Sequence, residues 1–225
     1  MTDWGFIFEK WILRQHRNVS HEPAVQKRLN RFKGDLFVDI GANQGHYSIP
    51  LARRFRRVYA FEPNPNVASV LIQKLKNSGI ANVKVLEMAL GNTIGTTLLY
   101  LDPHKGFEGS VDTILPVFDY KPNLIPGKSL PHVYVGKSGI LVALSTYDSV
   151  IVDPSDLVKI DVEGAEFLVL EGMKRSIEEG RVKRVLVELH DRDRKPELEA
   201  LLHHYNFEWL DPDHILGELN WSDSR

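Results

Sequence analysis

Residues Leu36–Ser48, with the sequence LFVDIGANQGHYS, carry the strongest structural signal in the chain. Their first part, Leu36–Ile40, is an apolar run with the length of a buried strand, and a helical pattern follows the glycines. Gly41 and Gly45 let the backbone between strand and helix turn tightly and approach a ligand closely. This order predicts a binding site at the carboxyl end of the strand, where the next helix offers unpaired N–H groups.

The spacing of the glycines indicates which ligand the loop suits. A dinucleotide-binding loop has the pattern G-x-G-x-x-G, but Asn43 and His46 occupy the second and third glycine positions counted from Gly41. Asp39 precedes the first glycine, and its charge would repel a pyrophosphate. The loop therefore favours a positively charged cofactor without phosphate groups over a nicotinamide dinucleotide.

Short apolar runs alternate with helical patterns beyond this loop, as in βαβ units around a parallel sheet. We predict an α/β fold with one seven-stranded, mostly parallel sheet, its last strand antiparallel, and helices on both faces. The predicted strands are Leu36–Ile40, Val58–Phe61, Val83–Met88, Leu157–Asp161, Val185–His190, Phe207–Leu210 and Ile215–Leu219.

Two segments lie outside this alternation. Residues 1–34 are predicted to form a helical extension, which packs on the domain or, alternatively, on a partner or a membrane surface. Residues 102–144 contain five prolines and five glycines, so they predict an insertion without a long regular element. We interpret this insertion as a lid over the cleft. The apolar residues at helical spacing in the extension are Trp4, Ile7, Phe8, Trp11 and Ile12.

Composition narrows the function classes. The 225 residues carry 28 Lys and Arg against 30 Asp and Glu, so the formal net charge of −2 gives no reason to expect a nucleic-acid partner. The absence of Cys excludes disulfides, thiolate metal sites and a Cys nucleophile. No apolar run reaches the roughly 18–20 residues of a membrane span, and a cytoplasmic protein is expected. The oligomeric state is not indicated.

Two further strand ends predict cofactor contacts. Glu62 ends the second strand about twenty residues beyond the glycine loop, where an acid can accept hydrogen bonds from both ribose hydroxyls. Met88 and Ala89 end the third strand, where an adenine can lie against them, although a plain core strand has the same pattern.

The segment Lys159–Glu166, with the sequence KIDVEGAE, predicts the chemical side of the site. Strand alternation places Asp161 and Glu163 on the same side at the end of the strand, whereas Glu166 fits the first turn of a helix. His190 ends the neighbouring strand, and a neutral imidazole there could accept a proton at pH 7. We predict His190, Asp161 and Glu163 as the catalytic residues. The carboxylates could instead hold Mg²⁺, which prefers oxygen ligands.

Several motifs together resemble the FkbM-type methyltransferases, over roughly Asp35 to His190. The resemblance implies a class I Rossmann-like domain over residues 35–225 that binds S-adenosylmethionine and methylates a hydroxyl group, commonly on a sugar or a small metabolite. It also implies that Asp39, Gly41 and Gly45 form the cofactor loop and that Glu62 binds the ribose. The predicted cofactor site consists of these four residues together with Asn43, Met88, Ala89 and Asp161. The long segment Asp112–Lys137 departs from the family pattern. The matching motifs, in chain order, are VDIGANQGHYS (38–48), AFEPNP (60–65), ALGN (89–92), LSTYDS (144–149), KIDVEGAE (159–166), VLEGM (169–173) and VELH (187–190).

Overall fold

The computed structural model describes residues 22–101, 111–116 and 139–220. A seven-stranded sheet forms its centre, with the strand order β10-β11-β9-β8-β1-β2-β3. The strands of this sheet are β1 Gly34–Ile40, β2 Phe55–Phe61, β3 Val83–Leu86, β8 Leu157–Ile160, β9 Arg184–Glu188, β10 Tyr205–Trp209 and β11 His214–Leu219.

Strand β1 lies at the middle of the parallel part and pairs with both β2 and β8. In this register Asp39 is opposite Ala60 of β2 and Lys159 of β8. The carboxyl ends of these three strands therefore meet at one edge of the sheet. Strand β11 runs antiparallel to β9 and β10. The predicted sheet, with its antiparallel last strand, is confirmed.

Helices cover both faces of the sheet because the strand residues alternate between two apolar clusters. Val38 and Ile40 of β1 pack with Phe167 and Leu170 on one face, while Phe37 packs with α1 on the other. The helices are α1 Pro23–Leu29, α2 Ser48–Leu51, α3 Pro65–Asn77, α4 Tyr147–Val150, α5 Glu166–Gly172, α6 Lys174–Glu178 and α7 Lys195–Leu201, with a 3-10 turn at Arg192–Arg194.

A second sheet, which the sequence analysis did not anticipate, has the order β4-β7-β5-β6. Our predicted third strand, Val83–Met88, ends at Leu86, and the chain enters β4 at Ala89 instead. Two strands of this sheet fall within residues 102–144, because most of the prolines and glycines there stand outside two apolar runs. The strands are β4 Ala89–Leu90, β5 Gly95–Leu101, β6 Val111–Pro116 and β7 Gly139–Ser145.

Two predictions fall wholly or partly outside the described residues. The first prediction is the helical extension over residues 1–34. Its residues 1–21, which include the apolar face, lie outside the described residues, whereas α1 lies within the predicted range. The second prediction is the lid. Residues 102–110 and 117–138, which make up most of it, also lie outside the described residues, so the lid stays a prediction. In the part of the chain that is described, no helix has both the length and the apolar character needed to cross a bilayer.

Candidate active site

A pocket opens at the carboxyl ends of β1, β2 and β8. The pocket is open on one side, and the empty space in and directly in front of it is about 570 Å³, open solvent included. The position agrees with the rule that ligands of open α/β sheets bind beyond the strand carboxyl ends. The lining residues are Ile40, Gly41, Asn43, Phe61, Glu62, Pro63, Val67, Met88, Ala89, Leu90, Asp161, Val162 and Glu163.

The glycine loop forms one wall of this pocket. Gly41 has a φ of +77°, and a Cβ there would lie 1.7 Å from the carbonyl oxygen of Asp161. Only glycine allows this close approach of the β1 and β8 ends. Asn43 also lines the pocket, with a left-handed φ of 48°. Gly45 is instead packed against α3, where a Cβ would meet the Leu71 side chain at 2.4 Å.

Asp39 lies beneath the loop and is not among the residues that line the pocket. Its side chain is fully buried, and Oδ2 accepts a hydrogen bond of 2.6 Å from the Ser48 hydroxyl. Its other oxygen, Oδ1, has no hydrogen-bond partner and lies 3.5 Å from Lys159 Nζ. Asp39 therefore supports the loop from below, and its contribution to cofactor binding stays a prediction.

Glu62 presents a buried carboxylate to the pocket. Its oxygens accept backbone hydrogen bonds from Asn43 (2.9 Å) and Asn64 (2.8 Å), and the residue is 4% exposed. Burial raises the pKa of Glu62 to about 7, although the two backbone N–H groups act in the opposite direction. A carboxylate has about four acceptor positions, so Glu62 keeps capacity for hydroxyl donors. Met88 and Ala89 line the same pocket.

Asp161 and Glu163 form the acidic wall opposite Glu62. Asp161 follows the last residue of β8, and its Oδ2 lies 3.0 Å from Lys159 Nζ. Glu163 has a left-handed backbone with a φ of 54°, a conformation that is uncommon for a residue other than glycine. The structure thus brings together the two acids that the sequence placed on the same side of the strand end.

His190 stands beside this wall and is held between two carboxylates. Nδ1 lies 2.9 Å from Glu166 Oε1, and Nε2 lies 3.4 Å from Glu163 Oε2. The hydrogen bond to Glu166 is the main cause of a pKa raised to about 9, which burial partly opposes. Our expectation of a neutral imidazole at pH 7 therefore does not fit this environment. Its position near the acids agrees with the sequence prediction.

Glu166 belongs to the candidate site, although the sequence did not predict it there. We assigned it to the first turn of a helix, and it does begin α5, but its side chain is 1% exposed and turned towards His190. Oε1 also accepts a hydrogen bond of 2.8 Å from the Gly164 N–H. The sequence offered one signal for this contact: an acid in the first turn of a helix and a His at the end of the neighbouring strand.

Ligand atoms of Asp161, Glu163 and His190 lie within 4.8 Å of one another, a spacing that a divalent cation could use. However, these carboxylates already have protein cations beside them, since Lys159 contacts Asp161 and the raised pKa of His190 favours its imidazolium form. The negative charges of these carboxylates are therefore already compensated within the protein, and nothing in the site supports the Mg²⁺ alternative.

The comparison with known families identifies the domain. The model of the "Methyltransferase FkbM domain" matches residues 39–209. The chain belongs to the FkbM methyltransferase family. Its members are methyltransferases that depend on S-adenosylmethionine, and the resemblance stated from the motifs is confirmed.

Individual relatives of this FkbM chain are distant. Methyltransferase sdnD of Sordaria araneosa is 29% identical over 194 residues, which cover 77% of this chain and 73% of that protein. A probable cobalt-precorrin-6B C(15)-methyltransferase of Methanothermobacter thermautotrophicus is 39% identical, but over only 56 residues, 24% of this chain and 29% of that protein.

The crystal structure of an FkbM methyltransferase from Methylobacillus flagellatus KT has the same fold. The TM-score is 0.55 at 18% identity, and the match covers 82% of this chain. This chain spans only 43% of the length of that structure. The class I Rossmann-like fold is thereby confirmed.

A second histidine lies just outside the FkbM match. His214 begins β11, is 5% exposed, and places Nε2 at 3.1 Å from Glu22 Oε2 and 3.3 Å from Glu188 Oε2. Nδ1 lies 2.9 Å from Asp211 Oδ1. Burial lowers the pKa of His214, but the hydrogen bonds to these carboxylates raise it to about 11. The cluster fastens the chain before α1 to the edge of the sheet that carries the pocket, where the Tyr47 hydroxyl also donates to Glu22.

Proposed function

We propose that this FkbM-family chain binds S-adenosylmethionine in the pocket beyond β1, β2 and β8 and transfers the methyl group to a hydroxyl of a small molecule, a saccharide included. The observation that carries the cofactor assignment is the buried carboxylate of Glu62. Burying a carboxylate is costly unless hydrogen bonds compensate it, and the two backbone N–H groups leave part of its acceptor capacity unused. Two ribose hydroxyls are the donors that this geometry suits.

The remaining walls fit the other parts of the same cofactor. Met88, Ala89 and Leu90 give an apolar surface for an adenine next to Glu62. The glycine loop and Asp161 lie on the other side, where the positively charged methionine portion would face a carboxylate. This distribution of apolar and negative walls supports a cationic nucleoside cofactor without phosphates.

The acceptor side supports a hydroxyl substrate. Asp161 and Glu163 are hydrogen-bond acceptors at the pocket wall, and His190 lies beside them. Carboxylates at this position would repel the phosphates of a nucleic acid, whose proteins usually present a basic face. A neutral acceptor with several hydroxyl groups is therefore favoured over a polyanion.

The bound cofactor supplies an activated methyl group, and the chain's residues hold the acceptor in line with it. Positioning of this kind can account for up to about 7–11 kcal/mol of a reaction barrier. We assign proton removal from the hydroxyl to His190 Nε2, with Glu166 at Nδ1 fixing the ring orientation, an arrangement comparable to the carboxylate–histidine pairs of other enzymes. Because the pKa of His190 is about 9, turnover should increase with pH up to that value.

Calorimetric titration with S-adenosylmethionine, S-adenosylhomocysteine and NAD⁺ tests the cofactor. We expect both sulfur nucleosides to bind and NAD⁺ not to bind. Incubation with a labelled methyl donor and fractionated cell extract then tests the acceptor class. Label recovered as a base-stable methyl ether in a small-molecule fraction supports the proposal, whereas label confined to RNA or protein contradicts it.

A further inference from the structure

Lys159 is a buried cation directly behind the pocket wall. The residue is 3% exposed and belongs to β8, where it pairs in register with Asp39 of β1. It is not one of the residues that line the pocket. An ammonium at such a position needs close partners, because removing a charge from water is expensive.

The partners of Lys159 Nζ come from two neighbouring strands, β1 with its glycine loop and the end of β8. It donates to the carbonyl oxygen of Gly41 at 3.0 Å and to Asp161 Oδ2 at 3.0 Å, and it lies 3.5 Å from Asp39 Oδ1. It also lies 5.3 Å from the centre of the Tyr47 ring. Burial lowers the pKa of Lys159, but the carboxylates of Asp161 and Asp39 outweigh it and raise the pKa above its usual value.

The two strands do not need these contacts in order to be joined. β1 and β8 are already joined by their parallel ladder, and the Asp161 N–H donates to the Ile40 carbonyl at 3.1 Å. The contribution specific to the ammonium concerns the Asp161 side chain, which is 26% exposed and would otherwise be free to turn towards water. One cation thus connects the carboxylate at the pocket wall to the first peptide of the glycine loop.

We infer that Lys159 is a positioning residue of the cofactor pocket, whose ammonium fixes the Asp161 carboxylate against the glycine loop in the orientation that receives the cofactor. This inference rests on the proposed function, because it takes the pocket to bind S-adenosylmethionine. Lys159 acts through Asp161 and touches no substrate itself.

The test measures binding of S-adenosylhomocysteine by calorimetry in a set of variants. Lys159→Met alone would leave Asp39 buried without a counter-charge, so all variants carry Asp39→Asn, whose side-chain oxygen can still accept the Ser48 hydroxyl. The set is Asp39→Asn as reference, and the same chain with Lys159→Met, with Asp161→Asn, and with both. Thermal unfolding of each variant reports whether the fold is retained.

Lys159→Met and Asp161→Asn should each weaken binding of S-adenosylhomocysteine about 10- to 100-fold, which is the usual effect of losing a charged hydrogen bond. Together they should weaken it no more than the larger single effect, because both remove the same interaction. Losses that multiply, or an unchanged affinity after Lys159→Met, would overturn the inference, as would a Lys159→Met chain that does not fold. If the wild-type chain does not bind the probe, the proposed function fails as well.

Discussion

Replacing Glu166 by Gln tests how the carboxylate beside His190 sets the charge of the imidazole. The pKa of His190 rises from 6.5 to about 9, and the hydrogen bond to Glu166 is the largest cause. A rise of about 2.5 pH units corresponds to roughly 3 kcal/mol in favour of the imidazolium, at about 1.4 kcal/mol per unit. The His190 side chain is 29% exposed, so solvent screening reduces this figure somewhat.

Gln keeps the size and the hydrogen-bonding oxygen of Glu but removes its charge. We therefore expect Glu166→Gln to lower the pKa of His190 by roughly 1–2 pH units. The assay is NMR titration of the imidazole signals, with the His190→Gln variant identifying the His190 resonance. Glu163→Gln is the matched control, and its effect should be smaller because Glu163 lies 3.4 Å away and contributes less. A wild-type value at or below 7, or equal effects of the two variants, would refute the reasoning.

Glu166→Gln should also reduce the stability of the fold, and the size of this loss should depend on pH. Because the pKa of His190 is higher in the folded chain than in the unfolded one, its pairing stabilises the fold fully below about pH 6.5, and this stabilisation disappears as the pH rises through 9. Glu166→Gln should therefore lower the melting temperature more at pH 6 than at pH 10. Part of the loss should persist at pH 10, since Glu166 also accepts the Gly164 N–H.

Three further outcomes are expected. Glu62→Ala should weaken S-adenosylhomocysteine binding roughly 30- to 1000-fold in calorimetry, through loss of two charged hydrogen bonds, and an effect below about threefold would remove Glu62 from the site. Because burial raises the pKa of Glu62 to about 7 and hydroxyl donors favour its carboxylate form, wild-type affinity should increase from pH 5 to pH 8; a flat profile would contradict this. Gly41→Ala should prevent folding or binding, since its Cβ would lie 1.7 Å from a carbonyl oxygen, whereas Gly164→Ala, which meets only backbone strain, should be milder in thermal unfolding.

The main sheet could be predicted because its central strands are short runs that are apolar except for Asp39 and Lys159, and the first of them is followed directly by the glycine loop. Leu36–Ile40 and Leu157–Ile160 are buried throughout, and their short length and β-branched residues favour strands over helices. The second sheet could not be predicted in this way. Its strand β4 has two residues, and Ala89 pairs with Leu144, more than fifty positions later in the chain. Pairing over such a distance leaves no periodic signal.

In the candidate site, too, the features fixed by local sequence could be predicted and those fixed by distant residues could not. Glu62 and Asp161 were predictable because each stands immediately after a strand, where the topology alone fixes its place. The inward turn of Glu166 depends on His190, which is 24 residues away, and the environment of His214 depends on Glu22, which precedes it by 192 residues. Charge states that arise from such tertiary neighbours cannot be derived from the spacing of residues.

The place of β11 within the sheet also constrains how the chain can reach its native state during synthesis. β11 lies between β9 and β10, although it follows both in the sequence, and Arg28 of α1 reaches Glu218 on it at 2.8 Å. On the ribosome, the earlier strands are therefore made before the strand that separates them, and one edge of β9 stays without its strand partner until β11 follows. The strand pairs of β11 are local, since Gly217 pairs with Val185 and Leu219 pairs with Tyr205. The contact of Arg28 with Glu218 instead joins residues 190 positions apart, so α1 can be fastened to this part of the sheet only after β11 has been made.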